Sequence, residues 1–573
     1  MSAFYDIWIG NETPVYARLN NGAWENESVL VANTWISLPQ RAREYIHQYD
    51  NAIATIIVLG QFYENVRLDV LLDKCIGYIE NRQKDFADPA GHYCLFIYHK
   101  QKQEYYVFTN RLGTYHAYYL SQGGQNVIST YYLGLAKSVI DKRLDWEGIT
   151  GFMAMGFFPG TTTHLEGIAV FENASCYKFN DKIELIEHKK YYDWNYEPVH
   201  TSHSDLLDEF NCILSTCLAH ATDNKRIALP ISGGLDSRTI TGCITSNPSY
   251  KSLWAFSYGY TAKSAENKIA SKIATARKID FNSFTVPNYL FENIDNIADS
   301  VELFQYIDGT RQAFMIDRLA EECDTVIGGH WGDVWFDDAC IDGMSEESYF
   351  NNKIVKNGSK WLLKEICEPY YPKHKDFLHN YFNGWMSKYR HIKDIDYKIK
   401  IFKTEQWSFR WTVSSLRMYQ DAVMPILPFY DSRIVDFFSK VDTGLLKGRA
   451  LQVEYIKKYH SDLAKVKWQE YDSNLFNYKR YNNRALSYRT YKKIVGAFST
   501  KKPISRNWEV FYLNANGQKS LEQVFLHNKP FTEIVPVETA KQLLTDFYDY
   551  PTAANGYKVS MLHTLAQFMK KVF

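Results

Sequence analysis

The sequence predicts a multidomain chain of mixed α/β and α+β class, with one domain over residues 1–200 and a second over 201–573. Three observations support this prediction: the size of the chain, a change of hydrophobic period near residue 200, and a helix-rich text beyond about residue 345. The chain has 573 residues, of which 46% are hydrophobic and 16% aromatic, more than one compact core usually organises. We therefore expect two or three domains.

The first 200 residues read as antiparallel β-structure with few helices. Short runs of aromatic and β-branched residues alternate with polar turns, as in residues 53–60, 92–100 and 104–110. Runs of this length and composition are typical of strands that are joined by tight connections.

From about Asp205 the sequence pattern changes to short apolar strands that are followed by amphipathic helices. RIALPIS precedes SRTITGCI, and SLWAFSYG precedes AENKIASKIATARK. This alternation predicts a parallel α/β sheet. Beyond Ser345, helix-like stretches over 354–366, 434–441 and 451–460 predict a helical C-terminal lobe.

Charge and composition exclude several classes of partner. Lys plus Arg and Asp plus Glu balance at 65 each, so the chain lacks the net field that attracts nucleic acid or an anionic membrane. The sequence contains no long uncharged apolar run of the kind that predicts a membrane span. We therefore expect a cytoplasmic protein. The nine cysteines show no zinc-binding spacing, which indicates reduced and mostly buried thiols.

The segment LPISGGLDSR, which begins at Leu229, predicts a phosphate-binding loop. An apolar strand runs into paired glycines and then into a helix begun by Ser237, so backbone N–H groups, hydroxyls and a helix N-terminus converge. Asp236 would repel a polyphosphate unless a divalent cation lay between them, and it therefore predicts Mg²⁺. The alternative for the glycine pair alone is a tight strand-to-helix turn.

A second apolar strand, which starts at Asp324, ends in the turn GGHWGD. The carboxyl edge of a parallel sheet is where ligands bind, so Asp333 and Asp236 are expected to face one Mg²⁺ while the backbone at Gly329 approaches the nucleotide. His330 lies between them in this turn. A lone histidine is usually structural, but this position makes it a candidate for orienting or deprotonating an amine.

The string SGGLDS after an apolar strand resembles the pyrophosphate loop of the N-type ATP pyrophosphatases. With Ser257–Gly259, Ser264–Glu266 and Pro428–Arg433, the chain resembles the asparagine synthetase family over nearly its whole length. The resemblance implies a parallel-sheet adenine nucleotide α-hydrolase-like (PP-loop) synthetase domain that binds ATP. The residues that we assign to ATP are Leu229, Ser232, Gly233, Gly234, Leu235, Asp236, Ser237, Ser257, Gly259 and Gly329.

The N-terminal sequence also resembles this family, in the segments Asn110–Thr114 and Gly156–Gly160. A class II glutamine amidotransferase domain of Ntn-type αββα fold is implied. That activity needs cysteine as the first residue after removal of Met1, whereas this chain has Ser2. The family's glutamine-binding segments are not found either, so we expect an inactive glutaminase.

Two candidate catalytic residues follow from the resemblance. His330 falls where asparagine synthetases have Glu, β-lactam synthetases have Tyr and some lasso-peptide cyclases have His. A family lysine that faces the pyrophosphate is sought at Lys465 or Lys467, with Lys467 preferred. A solvated basic helix end is the alternative for both lysines.

The implied activity is an ATP-dependent, AMP-forming carbon–nitrogen ligase. A small-molecule or peptide carboxylate would be adenylated and passed to ammonia or to an amine of the substrate. Alternatives are a macrolactam or β-lactam cyclase and a non-catalytic nucleotide-binding regulatory protein. The expected cofactors are ATP and Mg²⁺, without nucleic-acid or membrane partners, and a homodimer stays an open option.

Overall fold

The computed structural model describes residues 5–19, 23–28, 31–37, 45–261, 264–341, 343–480, 504 and 506–573. Two antiparallel sheets and one parallel sheet organise them. The prediction of a mixed α/β chain with a parallel sheet is confirmed.

The antiparallel sheets each contain six strands. The first has the order β10-β8-β9-β1-β3-β2 and the second β12-β11-β7-β6-β5-β4. The strands are β1 (Asp6–Gly10), β2 (Glu25–Asn26), β3 (Thr34–Ser37), β4 (Ile46–Asp50), β5 (Ala54–Phe62), β6 (Gly91–His99), β7 (Glu104–Thr109), β8 (Tyr118–Gln122), β9 (Gln125–Ser129), β10 (Ile168–Val170), β11 (Ser175–Phe179) and β12 (Leu185–Lys190).

The two sheets share one core and carry helices on their outer faces. Because side chains alternate along a strand, Ile57 and Leu59 of β5 join the core between the sheets, whereas Ile56 and Val58 pack under helix Leu68–Ile79. The outer face of the first sheet packs against helices that include Trp146–Met155. The resulting order of layers is helix, sheet, sheet, helix.

The parallel sheet has the order β15-β14-β13-β16-β17, and each neighbouring pair is parallel. Chain order reverses between β13 and β16, which places their following loops side by side, where ligands bind in open α/β sheets. Ile227, Ala228 and Leu229 of β13 are fully buried. The strands are β13 (Arg226–Pro230), β14 (Ser252–Gly259), β15 (Asp280–Thr285), β16 (Thr325–Ile327) and β17 (Pro425–Ile426).

The helices cover both faces of the parallel sheet and most of the described chain beyond Ser345. The α-helices are Leu68–Ile79, Tyr132–Ser138, Trp146–Met155, His203–Thr222, Asp236–Ser246, Ala265–Ala276, Ile294–Val301, Ile316–Glu322, Gly332–Phe336, Glu346–Tyr349, Ser359–Leu362, His374–Lys388, Ile395–Phe402, Val413–Gln420, Ser432–Phe438, Ala450–Tyr459, Ser461–Ala464, Asn507–Phe511, Ala515–Leu526, Lys529–Thr532, Val537–Asp549 and Ala553–Val572. Short 3₁₀ helices are Ile307–Gly309, Arg311–Met315, Pro428–Tyr430, Thr443–Leu445 and Lys447–Arg449, and π-helices are Phe350–Ile354, Leu363–Cys367 and Lys403–Thr412.

The helix expected over 354–366 is interrupted. A π-helix ends at Ile354, and the next helix begins only at Ser359. Gly358 lies between them with φ +98°, and a Cβ there would come within 2.6 Å of the backbone oxygen of Ala554. The left-handed backbone at Gly358 therefore separates two helical segments that the pattern predicts to be continuous, and Ala554 leaves no room for a side chain at this position.

Buried ion pairs join the antiparallel sheets to the parallel-sheet region. Arg18 donates to Asp6 at 2.9 Å and to Glu302 at 2.8 Å, and Arg417 also donates to Glu302. The side chains of all four residues are at most 5% exposed. Among the described residues, no helix combines the length and apolar character that crossing a bilayer requires.

Candidate active site

A cleft of about 480 Å³ opens at the carboxyl ends of β13, β14 and β16. Its position is that of the switch point in the parallel sheet. The segments after β13 contribute Ile231, Ser232, Asp236 and Ser237, β14 contributes Phe256, Ser257 and Tyr258, and the turn after β16 contributes Gly329, His330, Trp331, Asp333 and Val334. The facing wall contains Glu266, Arg311, Lys403, Trp407, Trp411, Thr412 and Tyr419.

The loop after β13 is held closed by its serines. The N–H of Ser232 donates to Oγ of Ser237 at 3.0 Å, and the two hydroxyls lie 3.1 Å apart. The N–H of Gly234 donates to Oγ of Ser232 at 3.2 Å. Helix Asp236–Ser246 starts without a capping side chain, so the donors of its first turn are available to an anion in the cleft.

Two glycines let neighbouring groups, one a side chain and one a backbone segment, approach this loop closely. A Cβ at Gly233 would lie 2.1 Å from Oε1 of Gln469. A Cβ at Gly329 would lie 3.2 Å from the backbone nitrogen of Ser237, so the turn after β16 contacts the first turn of the helix. The two motifs therefore form one continuous floor beneath the cleft.

Asp236 is the charged centre of this floor. It accepts from Arg449 and from Nε2 of Gln452, the latter at 3.1 Å. Burial raises the pKa of Asp236 to about 6; Arg449 opposes that rise, and the negative charge of Asp333 adds to it. Asp236 and Asp333 are thus close enough to repel each other.

A pair of facing carboxylates of this kind fits Mg²⁺. Both Asp236 and Asp333 line the cleft, and their mutual repulsion would be relieved by a divalent cation between them. Within the part of the chain that the structure describes, Oε1 of Gln452 and Nε of Arg449 beside the pair have no hydrogen-bond partner. The Gln452 oxygen could serve as a further ligand for a hard cation, whereas the N–H of Arg449 suits an anion such as a phosphate oxygen.

His330 lines the cleft with its Nδ1 enclosed. A Cβ at Gly328 would lie 2.7 Å from this nitrogen, which has no hydrogen-bond partner among the described residues. Burial lowers the pKa of His330 to about 4; the charge of Asp333 opposes that shift and the charge of Arg311 adds to it. The ring is therefore neutral at pH 7.

One end of the cleft is formed by the last residues of β14. Ser257 and Tyr258 line it, and the guanidinium of Arg311 lies 5.5 Å from the centre of the Tyr258 ring. Glu266 faces the same arginine, which lowers the pKa of its carboxyl group although burial raises it overall.

The structure brings most of the sequence-predicted residues together. Leu229 and Leu235 are fully buried beneath the loop, and Gly234 belongs to its backbone, whereas Gly259 packs against Ser264 outside the cleft lining. The predicted residues that line the cleft are Ser232, Asp236, Ser237, Ser257, Gly329, His330 and Asp333.

Lys467 is placed differently from the other predicted residues. Its ammonium group donates to Asp472, its side chain is 48% exposed, and it does not line the cleft. Only its backbone oxygen is tied to the phosphate-loop helix, by accepting from Arg238 at 2.8 Å. The cation beside Asp236 is Arg449, which sequence reasoning missed.

No signal in the sequence singled out Arg449 or the facing wall. Arg449 is the last residue of a short 3₁₀ helix, has φ +61°, and belongs to no motif that we identified. Lys403, Trp407 and Trp411 lie on the ten-residue π-helix Lys403–Thr412, whose i→i+5 winding leaves no helical period of the usual kind in the sequence.

Comparisons with known proteins give limited similarity. No family model matches the chain. A protein of Methanocaldococcus jannaschii, whose name provisionally describes it as a glutamine-hydrolysing asparagine synthetase, is 25% identical over 180 residues. The match spans 30% of this chain and 34% of that protein, so the chain is similar to about a third of its relative's length.

Three solved structures have low overall similarity. A U34-tRNA thiolase from Methanococcus maripaludis has a TM-score of 0.21 at 14% identity and covers 55% of this chain and 90% of its own. A glutamine-dependent NAD⁺ synthetase from Acinetobacter baumannii has a TM-score of 0.16 at 10% identity. The match covers 32% of this chain and 39% of the synthetase chain. A glutamine phosphoribosylpyrophosphate amidotransferase from B. subtilis has a TM-score of 0.20 at 10% identity. The match covers 51% of this chain and 87% of the amidotransferase chain. TM-scores this low establish neither a shared fold nor a shared function.

Proposed function

We propose that this protein is an ATP-dependent, AMP-forming ligase that adenylates a carboxylate and transfers the acyl group to ammonia or to an amine. The observation that carries the proposal is the pairing of the loop Ser232–Ser237 with the turn Gly329–Asp333 at one cleft. The pairing combines phosphate-binding donors, two facing carboxylates and a buried arginine. The partial match to an asparagine synthetase-like protein supports the same activity.

In the first step, an oxygen of the substrate carboxylate attacks the α-phosphorus of ATP and pyrophosphate leaves. Backbone N–H groups of the loop and of the first turn of helix Asp236–Ser246 would bind pyrophosphate oxygens. Asp236 and Asp333 would hold Mg²⁺, which neutralises charge on the phosphates when it is bound. Arg449 supplies a fixed positive charge beside them, while Lys467 is the sequence-based alternative for that role.

In the second step, the amine attacks the acyl carbon and AMP leaves. His330 accepts a hydrogen bond from the incoming amine and orients it. Because the pKa of its ring is about 4, the imidazole is neutral at pH 7 and retains a proton poorly, so orientation is the role that its environment favours.

The nitrogen donor is proposed to be ammonia or an amine of the substrate itself, because the glutamine-binding segments of the family are not found in the sequence. Ser2 lies outside the described residues.

The test is carboxylate-dependent release of pyrophosphate from Mg-ATP. A panel of amino acids, uronic acids and short peptides is assayed with glutamine, with ammonium and with no added amine. The matched variants are Asp236→Asn, which removes the central carboxylate, and Asp280→Asn, an exposed aspartate at the start of β15. Release that depends on a carboxylate and is lost only in Asp236→Asn is expected.

The donor dependence separates amidation from ring closure. Release that requires ammonium indicates an amide ligase, and release without any added amine indicates a cyclase. Nucleotide binding without release on any carboxylate would overturn the proposal and favour a regulatory protein.

A further inference from the structure

One helix both lines the cleft and contacts the antiparallel-sheet region, by which we mean the described residues up to Lys190. On the π-helix Lys403–Thr412, the side chains of Lys403, Trp407 and Trp411 recur at every fourth position and line the cleft. The residues between them make the contacts with the antiparallel-sheet region. They are Glu405, Gln406, Phe409 and Arg410.

Arg410 makes the most demanding of these contacts. Its side chain is 1% exposed, and its guanidinium donates to the backbone oxygens of Gly160 at 2.6 Å and Thr162 at 2.8 Å. Among the described residues no carboxylate forms an ion pair with it, and burial lowers its pKa to about 10. Burying a guanidinium without a counter-ion is costly, and the cost is offset only while both carbonyl groups stay in place. The contact therefore fixes the helix against one turn of the antiparallel-sheet region.

Neighbouring residues hold the same part of the helix from other sides. Oε1 of Gln406 accepts from the N–H of Gly160 at 3.0 Å, and Nε2 of His116 donates to the backbone oxygen of Phe409 at 2.6 Å. A Cβ at Gly113, which has φ +61°, would lie 2.6 Å from the Phe409 ring. Because π-helical winding is uncommon, these groups outside the helix help to stabilise it.

The start of the helix is held by a carboxylate whose two oxygens are both paired. Oε1 of Glu405 accepts from Nζ of Lys190 at 3.1 Å and from Nε1 of Trp194 at 2.9 Å. Oε2 accepts from Nε1 of Trp385 at 3.2 Å and from the hydroxyl of Tyr389 at 2.8 Å. A carboxylate with four donors has no capacity left for a ligand, so Glu405 ties the end of β12 to the helical part of the chain.

We propose that the antiparallel-sheet region has the function of positioning the cleft wall opposite the phosphate loop, with Arg410 as the positioning residue that acts through Trp407 and Trp411. Arg410 itself does not line the cleft. The inference rests on the proposed ligase function and assigns a role in it to a region from which we expect no glutaminase activity. A region that positions the wall stays necessary when glutamine is no longer the nitrogen donor.

The first test measures backbone hydrogen exchange in Arg410→Met, a variant that keeps an apolar chain at this position and removes the donors. Peptides that cover 403–412 should exchange at least about tenfold faster than in the wild type, whereas peptides of the phosphate loop should exchange as before. Gln406→Met, which removes the acceptor for the N–H of Gly160, should act on the same peptides in the same direction.

Gln61→Met is the matched control for Gln406→Met. Gln61 also joins the antiparallel-sheet region to the parallel sheet, by donating to the backbone oxygen of Pro425 at 2.8 Å, but this partner lies outside the π-helix. The control loses one buried hydrogen bond between the same two regions. Exchange over 403–412 should therefore stay at the wild-type rate in Gln61→Met.

The second test separates positioning from a general loss of structure. With a carboxylate that supports pyrophosphate release, Arg410→Met should raise KM for that carboxylate at least about tenfold and leave KM for Mg-ATP within about twofold. Arg410→Lys retains a donor and should recover part of the loss. Gln61→Met should change neither KM.

Two results would overturn the inference. One is exchange over 403–412 that is no faster in Arg410→Met and Gln406→Met than in Gln61→Met. The other is a loss confined to kcat, which a smaller folded fraction produces without changing KM. If Arg410→Met does not fold, the two glutamine variants decide by the same criteria.

Failure of the ligase proposal has a different signature. Faster exchange confined to 403–412, with no pyrophosphate release on any carboxylate, rejects the ligase and keeps the positioning of the wall. Pyrophosphate release with unchanged exchange and unchanged KM in Arg410→Met keeps the ligase and rejects the positioning.

Discussion

The Arg18–Glu302–Arg417 network and the Arg449–Asp236 pair both bury a guanidinium against a carboxylate, but they differ in how completely their polar atoms are paired. In the network, all three nitrogens of Arg18 donate, to Asp6, to Glu302 and to the backbone oxygen of Asp299. Around Arg449, its own Nε and Oε1 of Gln452 lack partners among the described residues.

The difference separates a structural role from a binding role. A buried network whose donors and acceptors are all satisfied fixes the contact between two parts of a chain and has no capacity for a ligand. A buried site with unpaired donors and acceptors carries a desolvation cost that a ligand can offset. On this criterion the ion pairs at Glu302 are architectural, and the pair at Asp236 is part of the proposed binding site.

The largest expected effect is on stability. Glu302→Gln leaves Arg18 and Arg417 buried without their shared counter-charge, and we expect a loss of about 3–5 kcal/mol in the free energy of unfolding. Denaturant titration measures it. Glu538→Gln, whose side chain is 84% exposed, is the control and should change stability by less than about 0.5 kcal/mol. Equal losses of stability in Glu302→Gln and Glu538→Gln would show that the ion pairs at Glu302 do not hold the fold together.

Asp236→Asn should abolish pyrophosphate release, by at least about 10³-fold, because it removes one of two proposed metal ligands and the partner of Arg449. The same variant should unfold at a denaturant concentration close to that of the wild type, because Arg449 loses its counter-charge but the fold no longer buries a carboxylate whose pKa burial raises to about 6. A variant that loses stability and activity together would erase the distinction between the two regions.

Arg449→Met should lower the rate of pyrophosphate release by about 10²-fold, and Arg449→Lys should recover part of it, because a positive charge beside the departing group is retained. Lys467→Met is the variant to compare with Arg449→Met. Its ammonium group is bound to Asp472 at the surface, so we expect less than about a threefold change. The reverse order of effects would assign the role to Lys467.

Magnesium dependence should follow the protonation of Asp236. Its pKa is raised to about 6, so the carboxyl group is ionised at pH 7 and becomes protonated as the pH falls through 6. A proton and Mg²⁺ compete for the same oxygens, so the Mg²⁺ concentration for half-maximal binding of a fluorescent ATP analogue should rise about tenfold between pH 7 and pH 5.

Between pH 7 and pH 8 the same Mg²⁺ midpoint should stay constant. Arg449→Met removes a charge that lowers the pKa of Asp236, and the pH window should therefore move upward in this variant. A magnesium midpoint that is independent of pH would exclude Asp236 as a ligand.

Features set by local pattern could be predicted from the sequence. Strands expected over 53–60, 92–100 and 104–110 occur as Ala54–Phe62, Gly91–His99 and Glu104–Thr109, because alternation and turn residues are local properties. The meeting of the loops after Pro230 and Ile327 was also predictable. Both follow strands whose carboxyl ends share one edge of a parallel sheet.

Features set by distant contacts could not be predicted. Arg449 reaches Asp236 across more than 200 residues of sequence, and no local motif marks it. The close approach of Ala554 to Gly358 is not visible locally, and the wall that holds Lys403 and Trp407 depends on π-helical winding. In each case the determining interaction lies in the tertiary packing.

The most direct test of the central claim is the fate of the carboxylate oxygen during turnover. With an ¹⁸O-labelled carboxylate that supports pyrophosphate release, an acyl adenylate requires one labelled oxygen to appear in AMP, with AMP and pyrophosphate formed in equal amounts. We predict this transfer in the wild-type protein and its loss in Asp236→Asn. Formation of ADP and phosphate, or of unlabelled AMP, would contradict the assignment of this cleft as an adenylate-forming site.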